Sequence, residues 1–230
     1  MAETALIVGV GRGLSASLAR LFKREGMTVA LAARNTGKLD ALAKETGAKV
    51  YDCDASDPKS VAALYERVDR DLGALDVVVY NASARARGPL VELDPAAVHQ
   101  ALMVSCFGGF LVAQAAAKRM LARGSGTILL TGASASVKGY PQSAPFAMGK
   151  FGLRGLAQSM ARELAPQNVH VAHFVIDGGI RQGADDPRSD RGVDALLSPD
   201  AIAESYLHVH RQHRSAWTWE IELRPWVEKF

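Results

Sequence analysis

Short, apolar, β-branched runs alternate with longer stretches of helical apolar spacing from one end of this chain to the other, and few folds accommodate that alternation. Strands are expected over 5–8, 28–33, 49–53, 76–80, 127–130, 169–176 and 217–223. Helices are expected over 15–25, 38–44, 59–72, 96–123, 146–164 and 200–211. Three helix starts carry an oxygen-bearing cap before proline, at Asp57-Pro58, Asp94-Pro95 and Ser198-Pro199, where the missing amide proton costs nothing. Repeated strand-helix-strand units with right-handed crossovers build a mostly parallel, doubly wound α/β sheet with helices on both faces.

At 230 residues, 48% hydrophobic and 22% charged, the chain can fill one good core, so a single domain over 1–230 is expected. The stretch 181–196 has no usable periodicity and reads as a mobile loop within a substrate or lid segment at about 181–213. Net charge is +3 with acids and bases interspersed, which favours neither a nucleic-acid nor a membrane partner. Cys53 and Cys106 lie far apart in apolar patterns and read as small buried residues of a reducing compartment, the cytoplasm. The amino terminus lacks a basic export region, and no run is expected to reach the length of a membrane span. His208, His210 and His213 lack the i, i+4 pairing of helical metal sites, so no metal is expected.

The first strand runs into Gly9-Val10-Gly11-Arg12-Gly13-Leu14-Ser15 and then into a helix. A glycine turn at that junction points free amides and the positive helix end at a pyrophosphate. Arg34 ends the second strand, Asp54-Ala55 the third and Asn81-Ala82-Ser83 the fourth, so all gather at the carboxyl edge where ligands bind such sheets.

The order Gly9-x-x-x-Gly13, Asp54-Ala55-Ser56-Asp57, Asn81-Ala82-Ser83 and Lys150 resembles the short-chain dehydrogenase/reductase family over essentially the whole chain. The resemblance implies a Rossmann-type fold, pyrophosphate at Gly9, Gly11 and Gly13, adenine at Asp54, and cofactor support from Asn81, Ala82 and Ser83. It also places Gly178 and Ile180 near a nicotinamide, beside Asp177 where the family usually has proline. Ser15 and Ser83 stand where the family has glycine. A neutral Ala33 with Arg34 and Arg12 nearby favours NADP(H) over NAD(H), because guanidinium groups bind a 2′-phosphate that a carboxylate would repel.

In the same family a tyrosine four residues before the lysine handles the proton, with a serine and an asparagine beside it. This chain has Phe146 at that spacing from Lys150, Ala133 with Ser134 one step along for the serine, and Ser105 for the asparagine. Ser134, Tyr140 and Lys150 remain as substitutes for the missing phenol. Two functions fit: an NADP(H)-dependent oxidoreductase acting on a small carbonyl, alcohol or activated C=C substrate, or a weakly active or inactive cofactor-binding protein serving as redox sensor or oligomer partner. Small and apolar residues on several faces of 96–123 and 146–164, such as Ala113, Ala116, Leu156 and Met160, predict a symmetric homo-oligomer. The resemblance implies a dimer or tetramer.

Overall fold

The computed structural model describes residues 2–183, 185–192 and 194–227, without the side chain of Arg191. Seven strands form one parallel sheet: β1 Thr4–Val8, β2 Thr28–Ala33, β3 Lys49–Asp52, β4 Val77–Tyr80, β5 Gly126–Thr131, β6 Val169–Ile176 and β7 Glu220–Leu223. Their order is β3-β2-β1-β4-β5-β6-β7, so the chain winds outward one way to β3 and then the other way from β4. The helices are α1 Leu14–Arg24, α2 Asp40–Thr46, α3 Pro58–Leu72, α4 Pro95–Leu102, α5 Gly108–Arg123, α6 Ala144–Leu164 and α7 Pro199–His210.

Strand side chains alternate between two cores, as the pleat requires. Leu6, Val8, Val78 and Ile128 pack under α3, α5 and α6. Ala5, Ile7, Val79 and Leu129 pack under α1 and α7 on the other face. Every residue of β1, β4 and β6 is buried, the signature of a parallel sheet covered on both sides. The expected doubly wound α/β class is the one observed.

The helix expected over 96–123 is interrupted. Between α4 and α5 the chain makes a wide π turn, Met103–Phe107, and the Tyr80 hydroxyl donates to the Val104 carbonyl there. Gly108 and Gly109 follow, and a Cβ on either would meet Tyr80 or its neighbours, Ala55 and Leu153 (2.5 Å at closest). The turn is thus pulled onto the strand ends, a common place for π bulges near functional sites. The stretch Pro95–Arg123 is, contrary to the expectation above, long and apolar enough to cross a membrane by length and composition, an 18-residue window within it having a mean hydropathy of 1.6. Part of that apolarity is used inside the fold, where Val112, Ala113, Ala116 and Met120 pack on the sheet.

Other boundaries shift for local reasons. α6 begins at Ala144 with Pro145 in its first turn. A 3-10 turn, Thr36–Leu39, precedes α2. β7 starts at Glu220, because Trp217 stacks on His170 at 4.6 Å and donates to the Gln212 carbonyl. Within 181–196, residues 184 and 193 lie outside the described residues. Among the described residues of this stretch, Asp186 accepts the Gln182 and Arg188 amides, and Arg188 grips Asp186 and the Ile180 carbonyl.

Candidate active site

All seven strands end at one edge, and two adjoining cavities open there. The first, about 570 Å³, is lined by Gly9, Val10, Arg34, Asn35, Lys38, Asp54, Ala55, Asn81, Ala82, Ser83, Val104 and Gln182, among others. Gly9 has φ +88° and its amide donates to the Ala32 carbonyl; a Cβ there would sit 2.3 Å from the Ala82 amide nitrogen. Only glycine lets these two strand ends approach so closely. A Cβ on Gly11 would meet nothing within 4 Å, so the turn faces open space. Helix α1 starts at Leu14 with Gly13 as its cap and no side-chain cap, leaving first-turn amides available for an anion.

Ser15, standing where the family has glycine, ties the cradle together. Its hydroxyl donates to the Gly9 carbonyl at 3.2 Å and accepts from Asn81 Nδ2 at 2.7 Å. Asp54 Oδ1 accepts from the amide and hydroxyl of Ser56, and these bonds hold its carboxyl below the ordinary range, with Arg34 adding attraction. Oδ2 has no partner among the described residues. Arg34 lines the cavity, and Lys38, not foreseen, stands beside it. Arg12 is exposed and, like Gly11, Gly13 and Leu14, does not line this cavity. Of the two arginines expected to form a clamp, only Arg34 lines this cavity, with Lys38 of the 3-10 turn after β2 as a second cation; both are exposed. The wall of this cavity thus carries two cations, Arg34 and Lys38, and one carboxylate, Asp54.

The second cavity, about 610 Å³, shares Asn81, Ser83 and Gln182 with the first, so the two form one cleft. Its lining adds Arg85, Arg87, Ser134, Tyr140, Phe146, Lys150, Asp177, Gly178, Ile180 and Arg188. Lys150 is 2% exposed, donates to the Thr131 carbonyl at 2.7 Å and lies 5.9 Å from the Phe146 ring centre. Burial, reinforced by the positive charge of Arg85, pushes its pKa down to about 7. Phe146 is buried, and the Arg85 guanidinium carbon sits 3.9 Å from its ring centre.

Ser105, in the π turn, is fully buried and both accepts from and donates to the Ala84 backbone, at 3.0 and 3.1 Å. It shapes the loop that carries Arg85 rather than facing the cavity. Ser134 and Tyr140 both reach the cavity wall, Tyr140 from an exposed position. Asp177 is neutralised by Lys138 at 3.1 Å and Arg224 at 3.5 Å. Behind the wall, Ser136 Oγ accepts the Ala133 amide and lies 3.3 Å from His173 Nε2, while His173 Nδ1 lies 3.0 Å from Glu220 Oε2. Arg154 clasps Glu220 with two bonds. Ser136 and His173 are fully buried, so this chain of bonds braces the wall and meets no substrate.

Among the described residues no group of three or more His, Cys, Asp or Glu side chains is placed to hold a metal. The family model for short chain dehydrogenases matches residues 3–184. The chain belongs to that family. A solved short-chain dehydrogenase from Rhodopseudomonas palustris is 36% identical, covers 97% of this chain and 99% of its own, and superposes with a TM-score of 0.84. A metagenomic short-chain oxidoreductase in complex with NADP is 28% identical over 98% of each chain, with a TM-score of 0.85. The 3-oxoacyl-(acyl-carrier-protein) reductase FabG of Staphylococcus aureus (strain Mu50) is 30% identical over 209 residues, 88% of this chain and 85% of that protein.

This short-chain dehydrogenase combines a cavity at its glycine turn with a second cavity lined by a phenyl ring and a buried lysine. Arg85, Arg87 and Gln182 escape motif reading. The two arginines follow Asn81-Ala82-Ser83 closely enough that their charge was a usable signal, whereas nothing in the residues around Gln182 marks it.

Proposed function

We propose that this short-chain dehydrogenase is an NADP(H)-dependent oxidoreductase for small carbonyl, alcohol or activated C=C substrates, with Lys150 handling the proton that a phenol would otherwise carry. A bound nicotinamide supplies the hydride in reduction and accepts it in oxidation. Gly9, Gly13 and the start of α1 hold the pyrophosphate, Asp54 and Ala55 the adenosine, Arg34 and Lys38 the 2′-phosphate. Asn81, Ala82, Ser83, Gly178 and Ile180 flank the nicotinamide half.

The observation that carries the proposal is the Lys150 amine: buried at the cavity floor, anchored on the Thr131 carbonyl, with a pKa near 7 and no carboxylate attached. An amine of that pKa is divided between its two protonation states near neutrality, the condition for efficient proton transfer. Its ammonium gives one proton to the substrate oxygen or carbanion during reduction and recovers it from solvent. Ser134 orients the substrate, with Gln182 and Arg188, from the segment before α7, lining the same cavity.

NADPH oxidation by wild type and Lys150→Met over a panel of aldehydes, ketones and enones tests this. A loss of about 10² or more in kcat is expected. Unchanged turnover in Lys150→Met, with loss in Tyr140→Phe or Ser134→Ala instead, would move the proton to one of those hydroxyls.

One observation favours a second function, cofactor binding without turnover: Phe146 has no hydroxyl and the Ser105 hydroxyl is consumed by Ala84. NADPH binding with no reaction on any panel member would support that alternative. A homodimer or homotetramer in the cytoplasm fits either function.

A further inference from the structure

Several arginines outside the cleft have carboxylate partners, among them Arg20 with Glu45, Arg67 with Asp52, Arg119 with Asp69 and Arg154 with Glu220. Arg85 and Arg87, both in the second cavity, have none among the described residues. The Arg85 guanidinium carbon lies over the Phe146 ring, 3.9 Å from its centre, a cation–π contact that leaves the N–H donors free to meet a ligand. Another cation in the lining, Arg188, is consumed by Asp186. The one carboxylate in the lining, Asp177, is already shared by Lys138 and Arg224. Lys150 adds a further cationic group on the floor. The cavity is therefore built with positive charge and without the anion that would balance it, and burial together with Arg87 bears against the charge on Arg85.

Extending the substrate-site assignment proposed above, we infer that the second cavity takes a small oxo compound, or the matching alcohol, that bears an acid group, with Arg85 as the principal anion clamp and Arg87 as its support. The phenyl at 146 has a role in this arrangement: it is the surface over which the Arg85 guanidinium sits. Carboxylate and phosphate share the geometry a guanidinium fork recognises, and matched probes separate them.

Two pairs serve, levulinate with methyl levulinate and dihydroxyacetone phosphate with dihydroxyacetone. Each is titrated calorimetrically into NADP⁺-saturated protein and, separately, assayed for NADPH oxidation. At least one acid is expected to bind about tenfold or more tighter than its neutral partner, with the preference lost in Arg85→Gln and reduced in Arg87→Gln while NADP⁺ affinity holds. The preferred pair names the anion. Raising ionic strength on the wild type gives a check that needs no variant: the acid's affinity should fall and the neutral compound's should not. Equal affinities within both pairs, or a preference that survives both substitutions, overturns the inference. Turnover of the neutral ketones without acid preference overturns it too, and leaves the reductase assignment standing. Arg85-dependent acid binding with no turnover supports the inference and removes the reductase assignment instead.

Discussion

Lys150 Nζ donates to the Thr131 carbonyl at 2.7 Å, which fastens the amine of α6 to the end of β5. Because burial lowers this amine to about 7, its ammonium form is lost as pH rises through neutrality. Carbonyl reduction should therefore decline above about pH 7, and alcohol oxidation, which needs the neutral amine, should rise across the same range. Initial rates in both directions from pH 5.5 to 9, at saturating cofactor, decide it; profiles that are flat through neutrality would remove Lys150 from proton transfer.

Phe146 lies one helical turn before Lys150, its ring centre 5.9 Å from the amine. Phe146→Tyr should bind NADPH as the wild type does and raise reduction of simple aldehydes by about 10²-fold, because the nearby ammonium favours the phenolate. A hydroxyl left without a partner would cost about 1 to 3 kcal/mol, so the melting temperature should be followed with the rates. A variant that melts normally, binds cofactor and gains nothing would show that Arg85 blocks the phenol.

Arg34 and Lys38 line the first cavity with no acid among its neighbours except Asp54. NADPH should bind more tightly than NADH by about tenfold or more, since one charge-assisted bond contributes roughly 1.5 to 3 kcal/mol. Arg34→Asp should abolish or reverse the preference, and Lys38→Met should weaken it. Fluorescence titration with both cofactors measures each; equal affinities in the wild type would dismiss the 2′-phosphate site.

Gly9→Ala combines a disfavoured φ of +88° with a Cβ 2.3 Å from the Ala82 nitrogen. The expected destabilisation is about 2 to 6 kcal/mol, with cofactor binding lost alongside. Gly11→Ala, which meets nothing within 4 Å, should fold with little loss and serves as the control in the same denaturation series.

His173 is fully buried, and burial outweighs the pull of Glu220 to hold its pKa down at about 4, against an ordinary 6.5. The unfolded chain then binds more protons than the native one between those values, so stability should fall as pH drops from about 6.5 towards 4. The full effect is about 3 kcal/mol for this group. Burial lowers His170 and His210 in the same direction. Urea unfolding at pH 7, 5.5 and 4.5 should show the decline, and His173→Gln should make it shallower.

The strand-helix alternation was legible because parallel strands buried on both faces must be apolar throughout, and Ala5 to Val8 or Val77 to Tyr80 show that without help from context. Glycine positions and capped prolines were legible for the same reason: each answers a local backbone demand. The break at Met103–Phe107 was not, because it follows from a hydroxyl on β4 seizing a carbonyl, a contact between residues more than twenty positions apart. Nor was the direction of Arg12 or Lys38, since a long side chain beside solvent takes its aim from the turn that carries it. Motif spacing brought Phe146 and Lys150 together correctly, yet gave no hint that Arg85 would stack on the ring.

The strand order has a consequence for how the molecule comes into being. The glycine turn is made by the first strand, but Asn81 and Val104 arrive only with β4 and the π turn, and Lys150 and Gly178 only after β5 and β6 are in place. A chain still being synthesised therefore carries the phosphate loop long before it has a cleft to close around a ligand. A dinucleotide bound as proposed would stabilise this protein only once nearly all of it has been made, by an amount that grows with the logarithm of ligand concentration over Kd. Under that proposal, cofactor supply would act on the finished fold, as a late lock on assembly rather than a template for it.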